Sequence, residues 1–234
     1  MDPVLLCERD EGIATLTLNR PKVRNALSEE LRERLREQVA ELDADPTVDV
    51  IVLTGADPAF CAGVDTRELG GGPAEAANIG PLAGPFLSSR TPLIGGINGA
   101  AYTGGLELAL SCHFLIASER ATFADTHAKL GLMPGWGLSV LLAEAVGVRR
   151  ARQVSVTSAP IDAQTALSWG LVNRVVPHHQ LLAVCSEVGR LIRANDSSAV
   201  QRVSRLYDEQ AQERNAHAWR LEAASWSGSA PRPT

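Results

Sequence analysis

The chain has 234 residues, 45% of them hydrophobic, and a formal net charge of −5 from 22 basic and 27 acidic side chains. That length buries a substantial core, as one large or two smaller domains. No basic cluster reaches the size of a nucleic-acid footprint and no apolar run approaches membrane-spanning length, so neither nucleic acid nor membrane is expected as a partner. Cys7, Cys61, Cys112 and Cys185 are too dispersed for a disulfide framework or a metal site. The first residues lack a basic segment leading into an apolar stretch, and a cytoplasmic protein is the expectation.

Ile13 to Leu18 alternates apolar residues with Thr15 and Thr17, the pattern of a half-buried strand. Asn19-Arg20-Pro21-Lys22 breaks it. Ser28 is a plausible N-cap for a helix from Glu29 to Leu42, with Leu31, Leu35, Val39 and Leu42 at helical spacing. After the Asp45-Pro46 turn, the β-branched run Val48 to Thr54 suits a buried strand. A strand–helix–strand crossover of this kind pairs its strands in parallel.

The small-residue loop Phe60 to Asp65 follows that buried strand, at the carboxyl end where parallel sheets build sites. Residues 69–89, with Gly70-Gly71-Gly72-Pro73, read as a mobile loop with a short helix. Pro92 to Ile97 and His113 to Ala117 read as further strands. A Gly/Pro loop, Gly131 to Gly137, precedes the apolar run Leu138 to Val146, and Asp162 to Ala166 starts a short helix. Arg149, Arg150 and Arg152 read as a solvated helix face. Beyond Pro177 two helices are expected, roughly 179–194 and 198–224, with a frayed end. The letters show no convincing internal repeat.

Between the third and fourth expected strands lies Gly104-Gly105-Leu106-Glu107-Leu108. Two glycines let a backbone approach a ligand closely. If a helix starts there, its first N–H groups have no intrahelical partner, and Gly104 and Glu107 share a face. Burial would raise the Glu107 pKa and a helix N-terminus would lower it, and the sequence leaves that balance open. Gly-Gly before an apolar helix is also an ordinary loop end.

Asn19 to Leu27, Phe60 to Asp65, Asn98 to Glu107, Leu130 to Gly137 and Ala166 to Val176 together resemble the enoyl-CoA hydratase/isomerase (crotonase) family, over nearly the whole chain. The resemblance implies an α/β fold. A spiral core of ββα repeats would occupy residues 1–177, and a helical C-terminal region, residues 178–234, would build a homotrimer or a dimer of trimers. It implies an acyl-CoA thioester as substrate, with coenzyme A part of that substrate and neither a separate cofactor nor a metal.

By motif position, the backbone N–H groups of Val64 and Gly104 would form an oxyanion hole for the thioester oxygen. Lys22, Val23 and Arg24 would meet the nucleotide end of coenzyme A, with largely backbone contacts from Cys61, Ala62 and Gly63. Hydratases of the family use two glutamates. The first falls on Glu107, but the second falls on His127.

An imidazole can still orient or deprotonate water near neutral pH, and Asp125 would set its tautomer if the loop folds back. Otherwise His127 is a histidine in a pocket wall and Asp125 a turn former. Thr103 departs from the family's small residue and is expected to narrow the acyl pocket. His113 departs from an aspartate and is expected to be structural. The implied reaction is reversible addition of water to a trans-2-enoyl-CoA. The alternatives are double-bond isomerisation by the single glutamate, or acyl-CoA binding without turnover.

Overall fold

The computed structural model describes residues 2–69 and 84–226. Strands β1 (Leu5–Asp10) and β2 (Ile13–Leu18) form an antiparallel hairpin, and helix α1 (Glu29–Ala44) leads to β3 (Val50–Gly55), which pairs with β2 in parallel. Ser28 caps α1 by accepting from Leu31 N, and Leu31, Leu35, Val39 and Leu42 are buried along one face. Then follow β4 (Ala59–Cys61), β5 (Leu93–Ile97), β6 (Ala100–Tyr102), α2 (Gly104–Leu110), β7 (Phe114–Ser118), β8 (Thr122–Ala124) and the single-turn α3 (His127–Leu130). The rest comprises α4 (Leu138–Val146), α5 (Val148–Thr157), β9 (Ile161–Asp162), α6 (Ala163–Trp169), β10 (Arg174–Val176), α7 (Leu181–Arg193) and α8 (Ser197–Trp226).

These strands make two sheets, one ordered β1-β2-β3-β5-β7-β10 and a smaller one ordered β4-β6-β8-β9. Three successive strand pairs, β3/β4, β5/β6 and β7/β8, each give their first strand to the large sheet and their second to the small one. Each new strand lies parallel beside its predecessor in the same sheet. The chain therefore winds as a spiral of ββα units. The second strand of each unit has three residues, too few to show a period of two. That is why no repeat was visible in the letters.

Every residue of β3 is buried because the large sheet is covered on both faces. Ile51 and Leu53 join the main core with α1 and the small sheet, whereas Val50 and Val52 join Ile13, Ile94 and Ile116 against Leu181 and Cys185 of α7. Fully burying one such aliphatic side chain contributes about 1.5–3 kcal/mol. Helix α7 is thus a layer of the body. Of its apolar residues, Leu182 and Leu191 remain exposed.

Helix α8 is mixed. Trp219 and Glu222 are buried, while Val203, Leu206, Tyr207 and Leu221 are exposed. The stretch 70–83, most of the expected mobile loop, lies outside the described residues. Among the described residues, no helix is long and apolar enough to cross a membrane, and no three His, Cys, Asp or Glu side chains cluster to hold a metal.

Candidate active site

The turn after β2 is fastened to the loop after β4. Asn25 is buried, and its side-chain amide donates to the carbonyls of Ala56 and Ala59 while its oxygen accepts from Arg20 N. Arg20 donates to the Ala26 carbonyl and pairs with Asp65 at 2.9 Å; Arg67 pairs with the same carboxylate at 2.8 Å. The Asp65 carboxyl is held far below the usual carboxylate range, chiefly by Arg67 and, against the cost of burial, by Arg20.

Backbone bonds complete the clamp. Ala62 N donates to Arg24 O, Leu27 N to Gly63 O and Asp65 N to Leu27 O. The residues on both sides of Val64 are therefore committed to partners. Among the described residues, Val64 N itself donates to nothing, and neither does Gly104 N.

These two donors are neighbours in space. A methyl group added at Gly104 would sit 3.4 Å from Val64 N, and one added at Gly63 would sit 3.3 Å from Gly104 N. Gly105 lets α2 approach β4, since a Cβ there would lie 2.1 Å from the Cys61 carbonyl oxygen. Thr103, just before α2, holds a left-handed φ of 55° that a β-branched residue rarely adopts. Its N–H donates to Ala124 O, and its hydroxyl bonds Thr126 Oγ1 and accepts from Thr126 N. These bonds hold the turn that aims Gly104 N.

Glu107 points from α2 into the same region and is 2% exposed. Its Oε1 accepts from Trp136 N at 2.8 Å and Gly135 N at 3.3 Å, so the Gly/Pro loop serves as a carboxylate cradle. The balance left open by the sequence falls to burial, which raises this pKa to about 7 against the opposing effects of His127 and the Trp136 N–H. His127, at the start of α3, places Nε2 3.8 Å from Glu107 Oε2. Its other ring nitrogen lies 2.7 Å from Asp125 Oδ1. Burial alone would lower the His127 pKa, but the hydrogen bond to Asp125 and the charges of Glu107 and Asp125 raise it.

Ala62, Val64, Thr103, Glu107, His127 and Trp136 all line one cavity of about 80 Å³, on the scale of a few waters at about 30 Å³ each. A larger groove, about 690 Å³, lies between α8 and the body beside His113 and Tyr207. Neither Val64 nor Gly104 lines it. His113 is structural there: Nδ1 accepts from Leu93 N at 2.8 Å, and Nε2 faces Asp208 of α8 at 3.7 Å.

The structure brings Val64, Gly104, Glu107 and His127 together, with Thr103 beside them. Lys22, Val23 and Arg24 do not line the cavity; both cationic side chains are exposed, and Arg24 is tied to it only through its carbonyl, which accepts from Ala62 N. Of the loop residues assigned to coenzyme A, Ala62 is exposed. Cys61 and Gly63 are buried, Cys61 completely, and burial pushes the Cys61 thiol pKa up to about 12.

The sequence reading missed the roles of Arg20 and Asp65, whose pairing spans 45 positions. It also missed Glu222 of α8, whose carboxylate accepts from Gly137 N at 2.6 Å and from Ser139 N at 2.8 Å. Gly137 takes a φ of 101° and lies against the Trp219 ring, so the cradle loop is pinned by the C-terminal helix. A buried glutamate on a helix of mostly polar pattern carries no local sign of this task.

Two free backbone donors thus lie beside a buried carboxylate on a spiral of ββα units. The chain matches the family described as enoyl-CoA hydratase/isomerase over residues 8–228, and it belongs to that family. It is 38% identical over 218 residues to a probable peroxisomal enoyl-CoA hydratase of Arabidopsis thaliana, covering 90% of this chain and 80% of that one. It is 34% identical over 203 residues to a crotonyl-CoA hydratase of Syntrophomonas wolfei, covering 84% and 78%. A solved enoyl-CoA hydratase from Mycobacterium tuberculosis H37Rv superposes with a TM-score of 0.90 at 46% identity, covering 97% of each chain.

Proposed function

We propose that this protein is an enoyl-CoA hydratase, adding water reversibly to a trans-2-enoyl-CoA to give a 3-hydroxyacyl-CoA. One observation carries the reading: the unbonded N–H groups of Val64 and Gly104 lie beside the cavity onto which Glu107 Oε2 and His127 Nε2 face. A thioester oxygen accepting from both donors draws electrons from the conjugated double bond, which makes the β-carbon electrophilic. Preorganised donors of this kind contribute roughly 3 kcal/mol each to a transition state. Glu107 and His127 then handle the water and the α-carbon proton. The exposed Lys22 and Arg24 suit the phosphates of coenzyme A, a point charge and a fork respectively.

Isomerisation is the second reading, favoured by Glu107 being the only carboxylate among the described residues of the cavity. One carboxylate suffices to carry a proton from one carbon to another. Two assays on one purified sample separate the readings. Hydration of crotonyl-CoA removes the conjugated absorbance, and conversion of a 3-enoyl-CoA to the 2-enoyl form creates it. Loss of absorbance with crotonyl-CoA is expected. Turnover of the 3-enoyl substrate alone would move the assignment to isomerase, and binding without either change would leave an acyl-CoA binder. Assembly as a homotrimer or a dimer of trimers belongs to the same proposal, supported by the exposed Val203, Leu206, Tyr207 and Leu221 of α8. Sedimentation of the purified protein tests it.

A further inference from the structure

The imidazole of His127 faces Glu107 in the cavity, and the residues around that ring dictate how it works. Asp125 Oδ1 accepts the backbone N–H of His127 at 3.0 Å and lies 2.7 Å from its ring Nδ1. An ionised carboxylate is an acceptor only, so Nδ1 must carry the hydrogen and the neutral ring keeps a lone pair on Nε2. Asp125 is buried, and its pKa is nevertheless lowered: burial opposes ionisation, but His127 and Ser155 hydrogen bonds outweigh it. Across the cavity, Oε1 of Glu107 is occupied by two backbone donors. A proton on Glu107 therefore resides on Oε2, which faces Nε2 at 3.8 Å. A water in the cavity can reach both atoms at ordinary hydrogen-bond lengths, about 2.8 Å.

We propose that Asp125 is a positioning residue that makes His127 Nε2 the base for the attacking water and leaves Glu107 Oε2–H as the acid at the α-carbon. This inference rests on the hydratase reading. A water O–H bond breaks, its proton goes to Nε2, and the oxygen bonds to the β-carbon. The double-bond electron pair moves onto the thioester oxygen between Val64 N and Gly104 N. As that enolate collapses, the α-carbon takes the proton from Glu107 Oε2. The imidazolium and the carboxylate left facing each other then return one proton from Nε2 to Oε2. The cycle closes with no co-reactant other than water.

Nitrogen-15 NMR of histidine-labelled protein tests the tautomer directly, with the His127 signals assigned by their loss in His127→Gln. The expected neutral form carries hydrogen on Nδ1; hydrogen on Nε2 overturns the proposal. Kinetics supply the second arm. Asp125→Asn keeps an oxygen to accept both hydrogen bonds but removes the charge that steadies the imidazolium. We expect kcat for crotonyl-CoA to fall roughly a hundredfold with KM within about twofold. The acid limb of the kcat profile should move to lower pH, because the ring loses a negative neighbour while Glu107 and Glu222, the other titratable groups acting on it, are unchanged. An unshifted limb, or a loss confined to KM or thermal stability, gives Asp125 a merely structural role. If the unsubstituted protein leaves crotonyl-CoA unchanged, the hydratase reading fails instead, and the NMR result still reports the tautomer.

Discussion

The two walls of the cavity are built on opposite electrostatics. On the wall that carries Val64, the Asp65 carboxylate sits between Arg20 and Arg67, and its pKa is driven down. On the wall that carries Glu107, the carboxylate has backbone donors and a histidine, and its pKa is driven up to about 7. The first wall fixes a donor by satisfying every group around it. The second keeps a proton within reach of neutral pH by withholding a permanent cation. Charge pairing thus serves position on one side, and incomplete pairing serves proton transfer on the other.

The largest effect should come from breaking the proton-handling wall. Glu107→Gln is expected to lower kcat for crotonyl-CoA hydration by about 10²–10⁴-fold, while acyl-CoA binding measured by calorimetry stays within a few fold. A variant as active as the parent would remove Glu107 from the chemistry.

Breaking the donor wall should cost stability and activity together. Asp65→Asn leaves two guanidinium groups without their shared charge, and removing one partner of a largely buried pair costs about 2 kcal/mol at a site this close to solvent. Urea unfolding should record that loss, and kcat/KM should fall about tenfold as Val64 N loses its fixed aim. An undiminished urea midpoint would show that the backbone bonds alone hold the loop.

The same contrast predicts opposite pH dependences. A carboxyl whose folded pKa is raised binds protons more tightly in the native state, so its contribution to stability declines as pH rises from about 4.5 towards 7. Glu107→Gln should therefore stabilise the fold by about 1–3 kcal/mol at pH 8 and much less at pH 4. Asp65 has the reverse sign: its contribution is present above the unfolded carboxylate pKa and is lost as the pH falls towards its depressed folded value. Thermal melts of the parent, Glu107→Gln and Asp65→Asn across that range would display both slopes. Parallel melting curves would erase the distinction between the walls.

The smallest effect belongs to the exposed Lys22. Lys22→Ala should weaken coenzyme A binding by about threefold at low salt, a difference that fades near 1 M salt as screening takes over. Insensitivity at low salt would place the phosphates elsewhere.

Much of this could be read from the chain because the relevant physics is local. Ser28 announces the start of α1, Val48 to Thr54 announces a strand buried on both faces, and Gly104-Gly105 announces a close backbone approach. Leu5–Asp10 escaped notice because a hairpin edge strand ending in Glu8, Arg9 and Asp10 lacks an apolar face. The small sheet escaped because Ala59–Cys61, Ala100–Tyr102 and Thr122–Ala124 are too short for alternation.

Propensity and apolar period are properties of neighbouring residues and gave α1 and the buried strands, while the order of the motifs carried the family resemblance that implied the ββα spiral and pointed to Val64, Gly104, Glu107 and His127. The tertiary structure decided the behaviour of those groups. Whether burial or the helix start governs Glu107, whether Asp125 folds back onto His127, and what anchors the cradle loop depend on partners 28, 2 and 85 positions away. A protonation state is set by the sum of charges, donors and excluded water around a group, and only the folded chain brings those together.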